Sequence, residues 1–232
     1  MLKRVFLFLV SGFFLSYCSA QESEDMEGEE QQGKVVDSSS FGDTEYEWSN
    51  YETNGIAQDF IIHGSKIWYT TGDFVATTDK KTSKQRKYPK LGDFPAAGIN
   101  SITAGDDGSI WFGGEKGVIV KKEDKYQQFT PDNGLAGLPV NSVFKAENGY
   151  VWAACNGGVS VYNGSSWKTH QRSENGLAGD VCNDVIEDKN GAVWISTNRG
   201  VSVLKNGTWK TFDMSDGLSS NKAGVLGYDE YK

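Results

Sequence analysis

The sequence predicts an all-β protein, a β-propeller-type array of four-stranded antiparallel blades with four complete blades, a partial fifth, and an open or incomplete ring. Three observations carry that prediction. Trp68, Trp111, Trp152 and Trp194 recur at spacings of 43, 41 and 42 residues, and a period of that size marks a repeat architecture. Glycine is abundant, 28 residues against 4 prolines, so tight turns are frequent. Aromatic residues make up 12% of the chain, and no window holds a helical period, which favours sheets.

Taken in order, residues 1–20 read as an export signal. Lys3 and Arg4 precede "VFLFLVSGFFL", an apolar run too short to span a bilayer. The stretch "LSYC" makes Cys18 the candidate lipidation site of a bacterial lipoprotein, although Tyr17 is bulky where such a motif prefers a small residue. Cleavage after Ala20 is the alternative, and Cys18 is then simply discarded. Residues 21–45 follow as an acidic tether. Residues 22–47 hold ten acids and one lysine, with too little apolar surface to offset chain entropy. Without them residues 48–232 carry 20 basic and 21 acidic side chains. A nearly neutral folded part has no positive field to collect phosphates, which argues against a nucleic-acid partner.

Residues 46–232 hold the repeats, with blades at about 54–96, 97–138, 139–179 and 180–220 and a partial unit at 221–232. Three residues before Trp111, Trp152 and Trp194 stand Gly108, Gly149 and Gly191, each after Asp or Asn, which predicts a two-residue hairpin turn. Six residues after those tryptophans Gly117, Gly158 and Gly200 open "GVIV", "GVSV" and "GVSV", a second hairpin and a third strand. Tyr126, Trp167 and Trp209 then mark a fourth strand that ends in "NGL" or "DGL". The first unit departs from the pattern, with Phe74 in place of the second glycine and a longer connection. Upstream, "WSNYETNGI" copies outer-strand text and predicts a lone outer strand at 48–52. At the other end "KAGVLGYDEYK" predicts an innermost strand without the hairpin that should follow, so open blade edges invite self-association.

The text "NDVIEDKNGAVWISTNRGVSVLKNGTWKTFDMSDGLSSN" resembles the two-component regulator propeller repeat of periplasmic sensor regions in hybrid histidine kinases, notably of Bacteroidetes. The resemblance covers about residues 48–232. It implies a propeller in an extracytoplasmic sensing role, in the periplasm or on the outer membrane of a Gram-negative bacterium, or else secreted. Propellers host unrelated activities, so function transfers weakly.

The residues themselves argue against chemistry. His63 sits near the first hairpin and His170 on an outer strand, so they share neither metal nor proton relay, and no catalytic, cofactor or metal residue is expected. "DKNG" lacks the alternating oxygens and distal Glu of a calcium loop, and "GGEKG" lacks the helix that a phosphate loop opens. The four blade tryptophans are expected to pack between blades rather than stack on sugars. Lys80, Lys81, Lys84, Arg86, Lys87 and Lys90 form a basic edge, which either docks an acidic glycan or lipid headgroup or, the simpler reading, guards an outer strand against edge pairing. Cys155 and Cys182 are expected as free thiols, since a disulfide needs Cα atoms within about 7 Å and neighbouring inner strands diverge. The leading expectation is a non-catalytic binding module for an oligosaccharide or similar ligand. A protein-interaction scaffold at the envelope is the alternative, and a propeller lyase is the third. Membrane attachment is expected only through a modified Cys18.

Overall fold

The computed structural model describes strand residues 5–8, 14–21 and 45–52 and the continuous stretch 57–227. The chain divides into two compact units, Met1–Ala57 and Gln58–Lys232. In the first, β1 (Val5–Phe8), β2 (Phe14–Gln21) and β3 (Glu45–Glu52) form an antiparallel three-stranded sheet in that order. The outer strand expected at 48–52 is a strand but not a lone one. It pairs with β2, Trp48 opposite Cys18, as a strand must when its backbone groups would otherwise go unpaired. Most of the expected tether, residues 22–44, lies outside the described residues.

The second unit holds four four-stranded antiparallel sheets, each in chain order. Blade 1 is β4 (Asp59–His63), β5 (Lys66–Thr70), β6 (Val75–Asp79) and β7 (Gln85–Tyr88). A short hairpin, β8 (Lys90–Leu91) and β9 (Phe94–Pro95), leads to blade 2. Blade 2 is β10 (Ile99–Ala104), β11 (Ile110–Gly114), β12 (Gly117–Lys122) and β13 (Lys125–Phe129). Blade 3 is β14 (Val140–Lys145), β15 (Val151–Cys155), β16 (Gly158–Tyr162) and β17 (Trp167–His170). After one helical turn, α1 (Arg172–Asn175), blade 4 is β18 (Cys182–Glu187), β19 (Val193–Thr197), β20 (Gly200–Lys205) and β21 (Thr208–Phe212).

Turn chemistry builds the blades, with two corrections to the expected hairpins. The Asp-Gly and Asn-Gly pairs do not make two-residue turns. They sit in five-residue loops whose first and last residues bond, Ala146 N to Tyr150 O and Asp188 N to Ala192 O, while the glycine N–H returns to the first carbonyl. Two-residue turns instead join strands two and three in blades 2, 3 and 4 and strands three and four in blades 2 and 4; in blade 4 Asn206 and Gly207 hold φ of 50° and 77° between paired Lys205 and Thr208, as a type I′ turn requires. "NGL" and "DGL" likewise do not end strands. Pro131–Asn133, α1 and Met214–Asp216 each make one helical turn, stopped by left-handed Gly134, Gly176 and Gly217. Leu135 and Leu177 then plug the interface behind them.

The cores lie between blades. Trp68 and Val75 pack on Ile99, Ile102, Ile110, Phe112 and Ile119. Trp111, Val118 and Phe129 pack on Val140, Val143, Val151, Ala153 and Cys155. Trp152, Ala154, Val159 and Val161 pack on Cys182, Val185, Val193 and Ile195. Each buried tryptophan removes about 150–250 Å² from water, worth about 4–6 kcal/mol as an upper figure.

Innermost strands of successive blades carry a side-chain fastening. Asp59 Oδ2 accepts from Ile102 N at 2.8 Å and Ser101 Oγ at 3.0 Å. Ser101 Oγ in turn accepts from Val143 N at 3.1 Å, and Asp184 Oδ2 from Leu226 N at 2.8 Å. One residue earlier, bulged Asn141 and Asn183 donate to Cys182 O and Ala223 O. Residues 222–227 therefore dock on β18 as the innermost strand of a fifth blade would, with Ala223 N on Thr197 O as well. Their Val225 side chain stands 93% exposed. The arrangement is the expected one, four complete blades and a fragment of a fifth, with no closed sheet.

Candidate functional site

The tryptophan positions obey one rule. Trp68 stacks on Tyr88, Trp111 on Phe129, Trp152 on His170 and Trp194 on Phe212, at 5.4 to 6.2 Å and interplanar angles of 8° to 20°. His170 thus holds the place of a fourth-strand aromatic ring, buried between Trp152 and Trp209, while His63 ends β4 in another blade. Cys155 and Cys182 are free and buried. Cys155 joins the core facing blade 2, whereas Cys182 joins the core facing blade 3, so the sheet of blade 3 separates their packing. Burial pushes the Cys155 thiol up to about 12, and that of Cys182 upward as well.

Of the basic edge, Lys80, Lys81, Lys84, Arg86 and Lys87 belong to the β6–β7 hairpin of blade 1, and Lys90 opens β8. The hairpin's one adjacent acid, Asp79, is spent on its own turn, accepting from Lys81 N, Thr82 N and Thr82 Oγ1. Arg86 and Lys87 lie over the rings of Tyr88 and Phe74 at 4.9 and 4.6 Å, as cations flanking an outer strand do. Cys18 lies on β2. Among the described residues no three His, Cys, Asp or Glu side chains form a group that could hold a metal, and no helix is long and apolar enough to cross a membrane.

Two hollows lined by described residues stand out, and neither was legible in the motifs because neither rests on a repeated residue alone. The larger, about 600 Å³, opens between blades 2 and 3 on the face that carries the strand 1–2 and strand 3–4 turns. Its floor is aromatic: Trp111, Phe129 and half-buried Tyr162 meet at 5.3 to 6.1 Å, with Tyr126 beside them. Its rim is polar, with Asp106, Asp107, Ser109, Lys122, Lys125 and Gln127. Lys122 Nζ reaches Asp107 Oδ2 at 2.7 Å. That contact, with hydrogen bonds from Ser109, holds the Asp107 carboxyl down at about 2. The turn around Gly108, "GDDGSIW", therefore also supplies the acidic lip. An aromatic floor with charged and hydroxyl groups at its edge can hold a ligand that has an apolar face and hydroxyl groups around it.

The smaller hollow, about 470 Å³, lies on the opposite face over the blade 3–4 seam. It is lined by Arg172, Leu177, Arg199, Thr211, Phe212, Asp213 and Asn221 together with Gly176 and Ala178.

No family model matches the chain, and no curated protein matches it. Solved structures do. An extracellular domain of a hybrid two-component system from B. thetaiotaomicron superposes with a TM-score of 0.66 at 23% identity, over 74% of this chain and 25% of that one. A second such domain from B. thetaiotaomicron gives 0.58 at 16%, over 68% and 22%. Virginiamycin B lyase from Staphylococcus aureus gives 0.56 at 16%, over 73% and 58%. The chain shares the fold of these proteins. It spans about a quarter of the length of the two B. thetaiotaomicron extracellular domains.

Proposed function

We propose that the chain is a non-catalytic binding and sensing module of an extracytoplasmic compartment, taking an oligosaccharide in the groove between blades 2 and 3. The groove carries the reading, because a pyranose offers an apolar face to Tyr162 and Tyr126 and hydroxyl groups to Asp107, Lys122 and Gln127. The fold shared with extracellular domains of two-component systems supports the sensing role, and the apolar leader supports export. Against the lyase reading stands the packing of His170 as a stacked core ring. Lipidation of Cys18 would tether the protein to a membrane, and phase separation in detergent tests that part.

The binding reading is tested by thermal shift of the full chain against a panel of neutral oligosaccharides, followed by calorimetry on any that raise the midpoint. Tyr162→Ala and Lys122→Ala should each weaken binding about tenfold, the loss of one stacking or charge-assisted contact. A panel that leaves the midpoint unmoved throughout would count decisively against it.

A further inference from the structure

Function in a repeat protein shows where the repeats disagree, since shared residues are needed to build the unit. The second hollow is such a place. Arg199 stands where the preceding blades have Gly157 and Lys116, and Arg172 stands where the flanking units have Pro131 and Met214. Both side chains are exposed and line the same hollow. The described carboxylates leave both guanidinium groups unpaired. Asp180 accepts from the Arg172 backbone N–H, not its side chain. Asp213, inside the hollow, accepts through its Oδ1 from Ser215 N and Ser215 Oγ.

Around these two cations stand hydrogen-bonding groups. Thr211 contributes a hydroxyl. Asn221 accepts from Met214 N through its Oδ1, so its amide Nδ2 remains to donate. Leu177 and Phe212 close one side as an apolar wall. Among the residues that line the hollow, two guanidinium groups face one carboxylate, that of Asp213, while Asp180 is engaged with the Arg172 backbone outside the lining. Guanidinium forks match a planar carboxylate with two parallel N–H···O bonds.

We propose that the hollow formed by Arg172 and Arg199 is a second ligand site, selective for the carboxylate of a sugar acid. The carboxylate bridges the two guanidinium groups, Thr211 and the Asn221 amide donate to ring or hydroxyl oxygens, and Asp213 accepts from a sugar hydroxyl. The site rests on the reading of the chain as a binding module and adds to it an acidic ligand class and a second face. Its distance from the groove means that one oligosaccharide need not occupy both.

The test is calorimetric titration of the full chain with sodium galacturonate, digalacturonate and glucuronate, with glucose, acetate and sulfate as parallel arms. The sugar acids should bind more tightly than acetate, sulfate or glucose, and their affinity should fall as salt is raised. Arg199→Gln and Arg172→Gln should each weaken them at least tenfold, and Arg199→Lys, which keeps the charge and loses the fork, should weaken them too. Circular dichroism and unchanged melting midpoints would show that the variants fold. Absence of binding by all sugar acids, equal binding by glucose, equal binding by sulfate, or affinity untouched by the arginine substitutions would each overturn the proposal. The neutral panel reports on the groove alone, so a chain that answers to neutral sugars and ignores sugar acids keeps the first reading and loses this one.

Discussion

Asp188 and Ala146 hold the same place in successive blades, 42 residues apart, and differ in what they offer an indole. Asp188 Oδ2 accepts from Trp194 Nε1 at 3.0 Å, and its Oδ1 accepts from Asn190 N and Ala192 N. Burial pushes its carboxyl upward, but the hydrogen bonds from Trp194, Ala192 and Asn190 outweigh that and hold it below the usual range. In blade 2 the acceptor comes from Ser109 Oγ, at 2.9 Å from Trp111 Nε1. Blade 3 has Ala146 and Tyr150 at those two positions, and Trp152 Nε1 is buried without a partner. Asp188→Ala should therefore cost about 1–2 kcal/mol in urea denaturation, and Ala146→Asp should return about 1 kcal/mol to blade 3. A destabilised Ala146→Asp would mean that the site has no room for the carboxylate. The thiols give a second expectation. Iodoacetamide at pH 8 should leave Cys155 and Cys182 unlabelled in the folded protein and label both in urea. Since folding raises the Cys155 thiol to about 12, the folded form holds that proton longer, so stability should decline as pH climbs from the ordinary thiol value towards 12. At this scale the packing of Trp68, Trp111 and Trp152 between blades and the burial of the cysteines were legible because burial follows from register, whereas Trp194, expected to pack in the same way, is half-buried and joins none of the three cores. Arg172 and Arg199 were not, because only folding brings a strand 4–1 connection next to a neighbouring hairpin.

The second hairpin of each unit shows how far an element can be read from its glycines. Gly200 sits at φ 127°, and a Cβ there would stand 2.2 Å from Phe212 O; Gly117 and Gly158 meet Phe129 O and His170 O in the same way. The sequence singled out these three positions correctly, because only glycine allows both the backbone angle and the approach of the fourth strand. Blade 1 departs for a physical reason. Its strands two and three are joined by residues 71–74, two more than elsewhere, with left-handed Gly72 inside the loop, so Phe74 never needs a positive φ. Gly200→Ala should cost more than about 1 kcal/mol and loosen β20–β21, seen as faster amide exchange at Val201 and Val203. Gly64→Ala, with open space around its Cβ, should lose only the backbone term. What sequence reasoning misplaced was the two-residue turn, since Asn-Gly occurs both at positions 148–149 and at 206–207. Local text cannot say which copy is flanked by a longer loop.

Over the whole second unit, the innermost strands share a property that a single blade does not reveal. Asp59 is half-buried at the seam, and loss of water pushes its carboxyl above the usual range; hydrogen bonds from Ile102, Ser101 and Phe60 oppose this, and the negative charge of Asp184 adds to it. A carboxyl held up in this way keeps its proton better folded than unfolded. Its contribution to stability is therefore fullest below the ordinary carboxylate value and is lost as pH rises through the folded value. Asp59→Asn should flatten the part of the profile that lies just above the ordinary carboxylate value, measured by urea midpoints, while keeping an oxygen for Ile102 N. An unchanged slope would assign it to another group. Removing residues 222–232 should destabilise blade 4 first, because Asn183, Asp184 and Ser196 lose Ala223, Leu226 and Gly224 as partners. Amide exchange in β18 and β19 would report it. The blade count, the fragment of a fifth and the period were all legible in the sequence. The seam was not, because Asn-Ser and Asn-Asp read as ordinary strand starts until the neighbouring amide is seen to reach them.

That seam has a consequence for how such a chain grows. Asp59 or Ser101 belongs to one unit, yet the amide it holds belongs to the next, so a duplicated stretch of DNA encoding one unit brings its own coupling and finds its socket already present. Lengthening or shortening the array needs no new interface to be invented. The same grammar lets two copies drift apart at side chains that face neither neighbour, and a pocket lined by such positions can change its ligand while the frame around it stays fixed.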